Sequence, residues 1–365
     1  MTLARIEWLH LRNLATGSWC PDPGLNLILG ENGSGKTSLL EGIHLLGRGR
    51  SFQTTLVQQL IRHGQTEARV TGTVSDRVGF RHSLGVQLGR GTRELHLDGC
   101  KPASSVELLR TFPIRVISPV STALLKEGPR QRRQFLDFGV FYENAGFLEA
   151  WRRYMKVLGH RNALLREKKT HELEAWNQEL ERYGTMVAEA RACYGARLLP
   201  LLQDTVKCFL PAVSRIELKT APGWNEQKSL IQALRDELPG DLRQGYTQSG
   251  PHRGDFSLGV EGRSARAYLS RGQTKLLVYA LILAQSRLME ASDTPHTGCL
   301  LIDDLASELD GHNRNRLVDF LAEQRLQCFI TATDATAFNR VIPACVHLEQ
   351  GRFRTDIIQS TTKTT

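Results

Sequence analysis

The run Gly30-Glu31-Asn32-Gly33-Ser34-Gly35-Lys36-Thr37 has the residue types and spacing of a phosphate-binding loop. Glycines in such a run let successive backbone N–H groups turn inward on phosphate oxygens, and the helix that follows adds its positive end. Lys36 supplies a charge for the β- and γ-phosphates, and the Thr37 hydroxyl is placed to bind Mg²⁺. Far downstream, Cys299-Leu300-Leu301-Ile302-Asp303-Asp304 reads as a buried parallel strand ending in two carboxylates. At the ligand-facing edge of an α/β sheet, Asp303 is expected to hold Mg²⁺ and Asp304 to orient the attacking water of an in-line phosphoryl transfer.

Leu269-Ser270-Arg271-Gly272-Gln273 precedes that acidic strand and opens a helix. By itself Ser-x-Gly-Gln is an N-cap, whose amides attract an anion through the helix end. Between a P-loop and an acidic strand, however, Ser270, Gly272 and Gln273 occupy the place of the signature loop of ABC-type ATPase heads, which closes over ATP held by another subunit. Lys36, Asp303, Asp304 and Ser270 are therefore the candidate catalytic set, and an ATP-dependent homodimer is the expected working form. Ser307-Glu308-Leu309-Asp310 has the position of the D-loop that lines such a subunit interface.

These residues need a sheet behind them. Strand-like stretches at 6–11, 25–29, 69–74 and 82–88 are separated by Gly, Pro and polar residues, and only the helix that starts in the P-loop interrupts them. From 130 to about 210 helical periodicity dominates, with Leu158, Leu164, Leu165, Leu173, Trp176, Leu180, Tyr183 and Val187 spaced for two long antiparallel helices. Strand signals return at 214–218, then a helix at 274–289 and strands at 299–303 and 328–331. The expected fold is α/β: a P-loop ATPase head with a mixed β-sheet, formed by 1–125 and 246–365, carrying an inserted α-helical lobe at 126–245.

A chain of 365 residues with 41% hydrophobic and 23% charged residues suits a globular head with a second lobe. No apolar leader or bilayer-length run is evident, which points to the cytoplasm. Seven cysteines without a CxxC pair argue against structural zinc. The formal charge of +9 favours an anionic partner. Between Lys126 and Lys169 eleven Lys or Arg face five Asp or Glu, so much of the excess is regional. Arg130, Arg132, Arg133, Arg152, Arg153, Lys156 and Arg161 are the candidate DNA contacts, neutralising phosphates without reading bases; the alternative is a solvated helix face.

With these motifs in place the chain resembles the RecF family of SMC-like ABC ATPases. The resemblance runs through Leu11-Arg12-Asn13, 30–38, Gly128-Pro129 with Arg132-Arg133 and Phe135-Leu136-Asp137, Gly250-Pro251-His252, 269–273 and 302–310. It implies an ATP-gated dimer in recombinational repair and replication restart. Such a dimer binds gapped or single-stranded DNA and helps load recombinase, in concert with RecO and RecR and with the SOS response. At most it is a weak DNA-stimulated ATPase, because Asp304 stands where ABC heads generally have Glu. A Q-loop glutamine and a switch histidine are missing: Ile117-Ser118-Pro119 and Thr331-Ala332-Thr333-Asp334 stand there, leaving Thr333 or Asp334 as candidate γ-phosphate sensors and Arg12 and Asn13 as further phosphate contacts. His252 reads either as a switch, as a DNA contact or as a loop histidine with a packing role. Two other classes stay open, the motor subunit of a membrane transporter and a P-loop kinase for a small metabolite.

Overall fold

The computed structural model describes residues 1–76, 78–291, 298–340 and 342–354. The chain forms two compact units, Met1–Ser121 with His296–Thr365, and Thr122–Pro295.

In the first unit the site rests on a six-stranded sheet of Leu25–Leu29 (β1), Ile114–Ile117 (β2), Cys299–Ile302 (β3), Gln327–Ala332 (β4), Ala344–Glu349 (β5) and Arg352–Arg354 (β6). Its order is β6-β5-β1-β4-β3-β2; the first five strands run parallel and β6 is antiparallel to β5. Strands buried on both faces need continuous apolar runs, and β3 and β4 are buried at every position. Asn26 and Gln327 are among the polar residues buried in this sheet, and both are satisfied. Asn26 Nδ2 donates to Asp22 O at 2.8 Å, while Gln327 Oε1 accepts from Leu3 N at 2.7 Å and Gln327 Nε2 donates to Leu3 O at 3.0 Å. Gln327 thereby pins β4 to Thr2–Leu9, a strand of a second, five-stranded antiparallel sheet. Helix Lys36–Arg48 (α1) follows β1 and ends at Gly49, whose φ of 63° and N–H to Leu45 O at 2.7 Å close the last turn. Leu39, Leu40, Ile43, Leu45 and Leu46 of α1 share one core with Ile6, Val70, Val86 and Ile28.

The second unit is built on Pro129–Glu143 (α2), Phe147–Glu167 (α3), Leu173–Phe209 (α4) and Arg271–Glu290 (α5). A small antiparallel sheet of Ile216–Ala221, Asp255–Val260 and Arg263–Ser264 completes it. The expected return to the head at 246 does not fall there: residues 246–291 belong to the helical unit, and its start lies at 122 rather than 126. The reason is hydrogen bonding that composition does not reveal. Thr247 donates through N and Oγ1 to Asn162 Oδ1 at 2.8 and 2.7 Å, and Arg191 of α4 bridges Asp137 of α2 to Pro251 O. Gln285 of α5 donates to Phe135 O at 3.0 Å and Tyr194 Oη at 3.1 Å.

Gly250-Pro251-His252 is part of this framework. A Cβ on Gly250, whose φ is 139°, would lie 2.2 Å from Tyr154 Oη. His252 accepts from Tyr154 Oη at Nδ1 over 2.6 Å and donates from Nε2 to Thr247 O over 3.1 Å, the tautomer that this pair of partners requires. Burial pushes its pKa down to about 4, so the imidazole is a neutral link between α3 and the loop. The packing role read from the sequence is the one this geometry fits.

Arg161 corrects one expectation. It was a candidate DNA contact, but its side chain is fully buried in α3 and paired with Asp241 at 2.7 Å, and it donates to Asn177 Oδ1 and Thr247 Oγ1 at 2.8 Å each. An arginine spent in this way cannot meet a phosphate. Arg161→Ala strands the buried Asp241 carboxylate and is expected to cost about 3–5 kcal/mol. Chemical denaturation of the variant checks it, and an unchanged midpoint would rule out the network as a stabilising element.

Candidate functional site

The loop 30–35 joins the end of β1 to α1, and its glycines meet hard constraints. Gly30 has a φ of 153°, and a Cβ there would lie 2.3 Å from Leu348 O; Gly35 takes the N-cap position of α1 at φ 111°. Around Gly33, by contrast, a Cβ would meet nothing within 4 Å, so that side of the loop is open. The loop is held in shape by Asn13 Nδ2, which donates to Gly33 O at 2.7 Å, and by Gly351 N, which donates to Ser34 O at 2.8 Å. Ser38 Oγ donates to Asn13 Oδ1 at 2.7 Å, linking the first turn of α1 to the same asparagine.

Lys36 Nζ donates to Gly30 O at 2.6 Å and Glu31 O at 2.9 Å, which folds its chain over the loop. Burial lowers its pKa, and the nearby Asp304 and Asp303 carboxylates oppose that shift. Glu31 and Asn32 are exposed at the loop tip. Ser34 Oγ is buried and finds no hydrogen-bond partner among the described residues. A buried hydroxyl left over in a loop of inward-turned amides is what a phosphate oxygen would satisfy.

Asp303 follows β3 and is buried. Thr37 Oγ1 lies 3.0 and 3.1 Å from its two carboxylate oxygens, and Thr331 Oγ1 of β4 donates to Oδ1 at 2.9 Å. Burial raises the pKa of Asp303, while the two hydroxyls act to lower it. A hydroxyl and a carboxylate in contact form a hard-oxygen donor pair suited to Mg²⁺, which keeps several waters and takes few protein ligands. Asp304 has a φ of 54°, its N–H donates to Thr331 Oγ1 at 2.7 Å, and its carboxylate accepts from Ser307 Oγ in the D-loop. Thr331 is thus the strand-end residue that organises the acidic pair. Asp334 instead caps a short turn, accepting from Thr336 N at 2.9 Å. The sequence carried a signal for Thr331, a hydroxyl directly after the apolar run Cys328-Phe329-Ile330.

A cavity of about 610 Å³ opens beside Ser38, lined by Arg12, Asn13, Gln59, Ile61, Arg62 and His63. Gln59, Arg62 and His63 were not singled out from the sequence, because nothing local marks them. Their place follows from backbone pairing with the strand-end segment, Arg12 N to Leu60 O at 2.8 Å and Arg62 N to His10 O at 2.8 Å.

Ser270, Gly272 and Gln273 lie in the second unit, at the start of α5. They form a capping box: Ser270 Oγ accepts from Gln273 N at 3.3 Å and Gln273 Oε1 accepts from Ser270 N at 3.0 Å. Among the described residues Ser270 Oγ acts only as acceptor, so its own hydrogen is available to an anion. Residues 270–273 are exposed, whereas α5 is almost entirely buried from Thr274 onward. The fully exposed residues of α5 are those of its first turn, 271–273, and beyond them Lys275, Arg287 and Glu290 are partly exposed.

Of the candidate DNA contacts, Arg130, Arg152, Arg153 and Lys156 are exposed, with Arg153 3.4 Å from Glu149. Arg132 and Arg133 are not free for the role. Arg132 makes a two-pronged pair with Asp255 at 2.7 and 2.9 Å, and Arg133 donates to Gly254 O at 2.9 Å. Among the described residues no helix is long and apolar enough to cross a membrane.

Comparison with known proteins agrees with this geometry. Residues 2–352 match the family model "RecF/RecN/SMC N terminal domain". The DNA replication and repair protein RecF of Chromohalobacter salexigens is 40% identical, the match covering 98% of this chain and 100% of that protein. The RecF of Shewanella denitrificans is 39% identical over 96% of this chain and 99% of its own length. A solved structure of the recombination mediator RecF with ATP, from the RecFOR pathway, superposes with a TM-score of 0.84 at 27% identity and covers 97% of each chain. An Smc head bound to the winged-helix domain of ScpA shares the fold, with a TM-score of 0.59, 14% identity and coverage of 97% of this chain and 96% of that one.

Thr331→Val keeps the shape of β4 but leaves Asp303 short of a donor and the Asp304 N–H without its acceptor. It is expected to cost about 1–3 kcal/mol in chemical denaturation; a neutral result would show that the hydroxyl is dispensable to the acidic pair.

Proposed function

The chain belongs to the RecF family of DNA replication and repair proteins, and from that premise we propose that it is an ATP-gated clamp on DNA. In this reading two copies join when nucleotide is bound, grip gapped or single-stranded DNA or its junction with duplex, and with RecR and RecO help load recombinase. The exposed, capped signature end of α5 is the observation that carries it. A helix buried along almost its whole length and bare only at an anion-attracting end is built to meet a charged group from outside the protomer.

ATP fits the loop at 30–37 because of the buried Ser34 hydroxyl, the open side at Gly33 and Lys36 nearby. Thr37 and Asp303 would hold Mg²⁺, which when bound supplies charge neutralisation at the β- and γ-phosphates. Lys36 binds and orients the phosphates; Asp304, anchored to Ser307 of the D-loop, aligns a water. That anchor makes the carboxylate a better sensor of the subunit interface than a fast base, so turnover is slow and nucleotide serves mainly as a switch. Ser270 from the partner copy completes the γ-phosphate shell. The working site is cytoplasmic, and the transporter-motor and kinase readings gain no support from the relatives above.

Sedimentation tests the switch. With MgATP the wild type shifts from monomer to dimer; Ser270→Arg stays monomeric while its ATP affinity remains within about threefold, and Lys36→Ala loses ATP about 100-fold. A dimer of Ser270→Arg would exclude completion in trans.

Phosphate-dominated DNA binding weakens with salt in proportion to the charges engaged. The triple variant Arg152→Ala, Arg153→Ala and Lys156→Ala is expected to lower the slope of log affinity against log salt by about 2–3. An unchanged slope would place DNA elsewhere on the molecule.

A further inference from the structure

Glu41 is fully buried on α1, one turn beyond Thr37, at a position where packing alone would select a hydrophobic residue like the neighbouring Leu40 and Ile43. Taking a carboxylate out of water costs several kcal/mol unless partners compensate, so a glutamate here is a statement about its partners. Arg12 Nη2 donates to Glu41 Oε1 at 3.0 Å, and Arg12 Nε makes a close charge contact with Oε2. Arg12 holds a φ of 48°, uncommon for a side chain of this kind, and its backbone N–H is fixed to Leu60 O. Both ends of the arginine are therefore pinned, and Arg12 lines the cavity with Ser38 and Asn13.

Ser51 Oγ donates to the same Glu41 Oε1, and Ser51 Oγ in turn accepts from Gln53 N at 2.9 Å and Thr54 N at 3.0 Å. Thr54 Oγ1 donates to Gln59 Oε1 at 2.6 Å, and Gln59 is part of the cavity wall. A continuous line of polar contacts runs from the helix of the phosphate loop, through one buried carboxylate, to the two segments that wall the cavity.

We infer that Glu41 is a positioning residue of the nucleotide site: through Arg12 it presents a fixed guanidinium to the anionic part of the nucleotide, and through Ser51 and Thr54 it sets Gln59 in the cavity wall. This rests on the reading of the loop at 30–37 as an ATP site. Glu41→Gln keeps the size of the side chain but turns an amide N–H₂ toward the guanidinium, a donor against a donor, and so releases Arg12.

The test is a double-mutant cycle on the full-length protein, with MgATP affinity read by titration calorimetry and folding by thermal melts. Glu41→Gln is expected to weaken MgATP about tenfold, Arg12→Ala about as much, and the double variant about threefold beyond Arg12→Ala, the share that Glu41 exerts through Ser51, instead of the tenfold that independent effects would give. A merely structural glutamate would instead give additive losses that track the melting temperature. Wild-type affinity in Glu41→Gln, or additivity, overturns the proposal. If Glu41→Gln does not fold, Ser51→Ala carries the test, with a threefold loss expected and an unchanged affinity decisive against it. Wild-type protein that fails to bind MgATP, or Lys36→Ala that binds it normally, would instead defeat the ATP-site reading itself.

Discussion

Asp303 places a carboxyl group where water cannot reach it well, which raises its pKa, and the hydroxyls of Thr37 and Thr331 oppose that shift. The two donors come from different elements: α1, directly after the phosphate loop, and β4, the strand between β1 and β3. The carboxylate can thus be buried only when β1, β4 and β3 keep the register that sets Asp303 beside Thr331 and the start of α1. Parallel pairing does this, with Leu29 opposite Ala332 and Ile302 opposite Ile330. The loop, the acidic pair and the D-loop contact of Asp304 all inherit their positions from that alignment.

The helical unit solves a parallel problem with larger groups. Arg161 with Asp241, and Arg191 with Asp137, are charged pairs at the joints between helices, and each arginine also holds a loop residue, Thr247 or Pro251. Buried ion pairs gain little over apolar packing in stability, but they tolerate few alternative arrangements. The loop before the small sheet is therefore locked to the helices. The signature helix belongs to the same framework through Gln285.

The phosphate loop, the acidic strand and the signature were legible because each is local: glycine spacing, an apolar run ending in acids, a serine three residues before a glutamine. What was not legible depends on pairing across the chain. Gln59, Arg62 and His63 reach the cavity only because the segment 60–62 pairs with 10–12. The boundary at 246 misled because strand-like composition says nothing about which unit a strand joins. Arg161 is the instructive case. It was read as part of a basic surface, yet it lies on the stripe of α3 that carries Tyr154, Val157, Leu158 and Leu165, all buried, and that spacing marked it as an inward position.

The central place of β1 in its sheet has a further consequence, for synthesis. This strand is synthesised well before its two neighbours, β4 and β5, which come from 327–332 and 344–349. Contacts so distant along the chain form late and slowly, and until then Leu25–Leu29 presents two unpaired apolar edges. The seat of the phosphate loop is accordingly finished only once 344–349 have been made and have paired with β1.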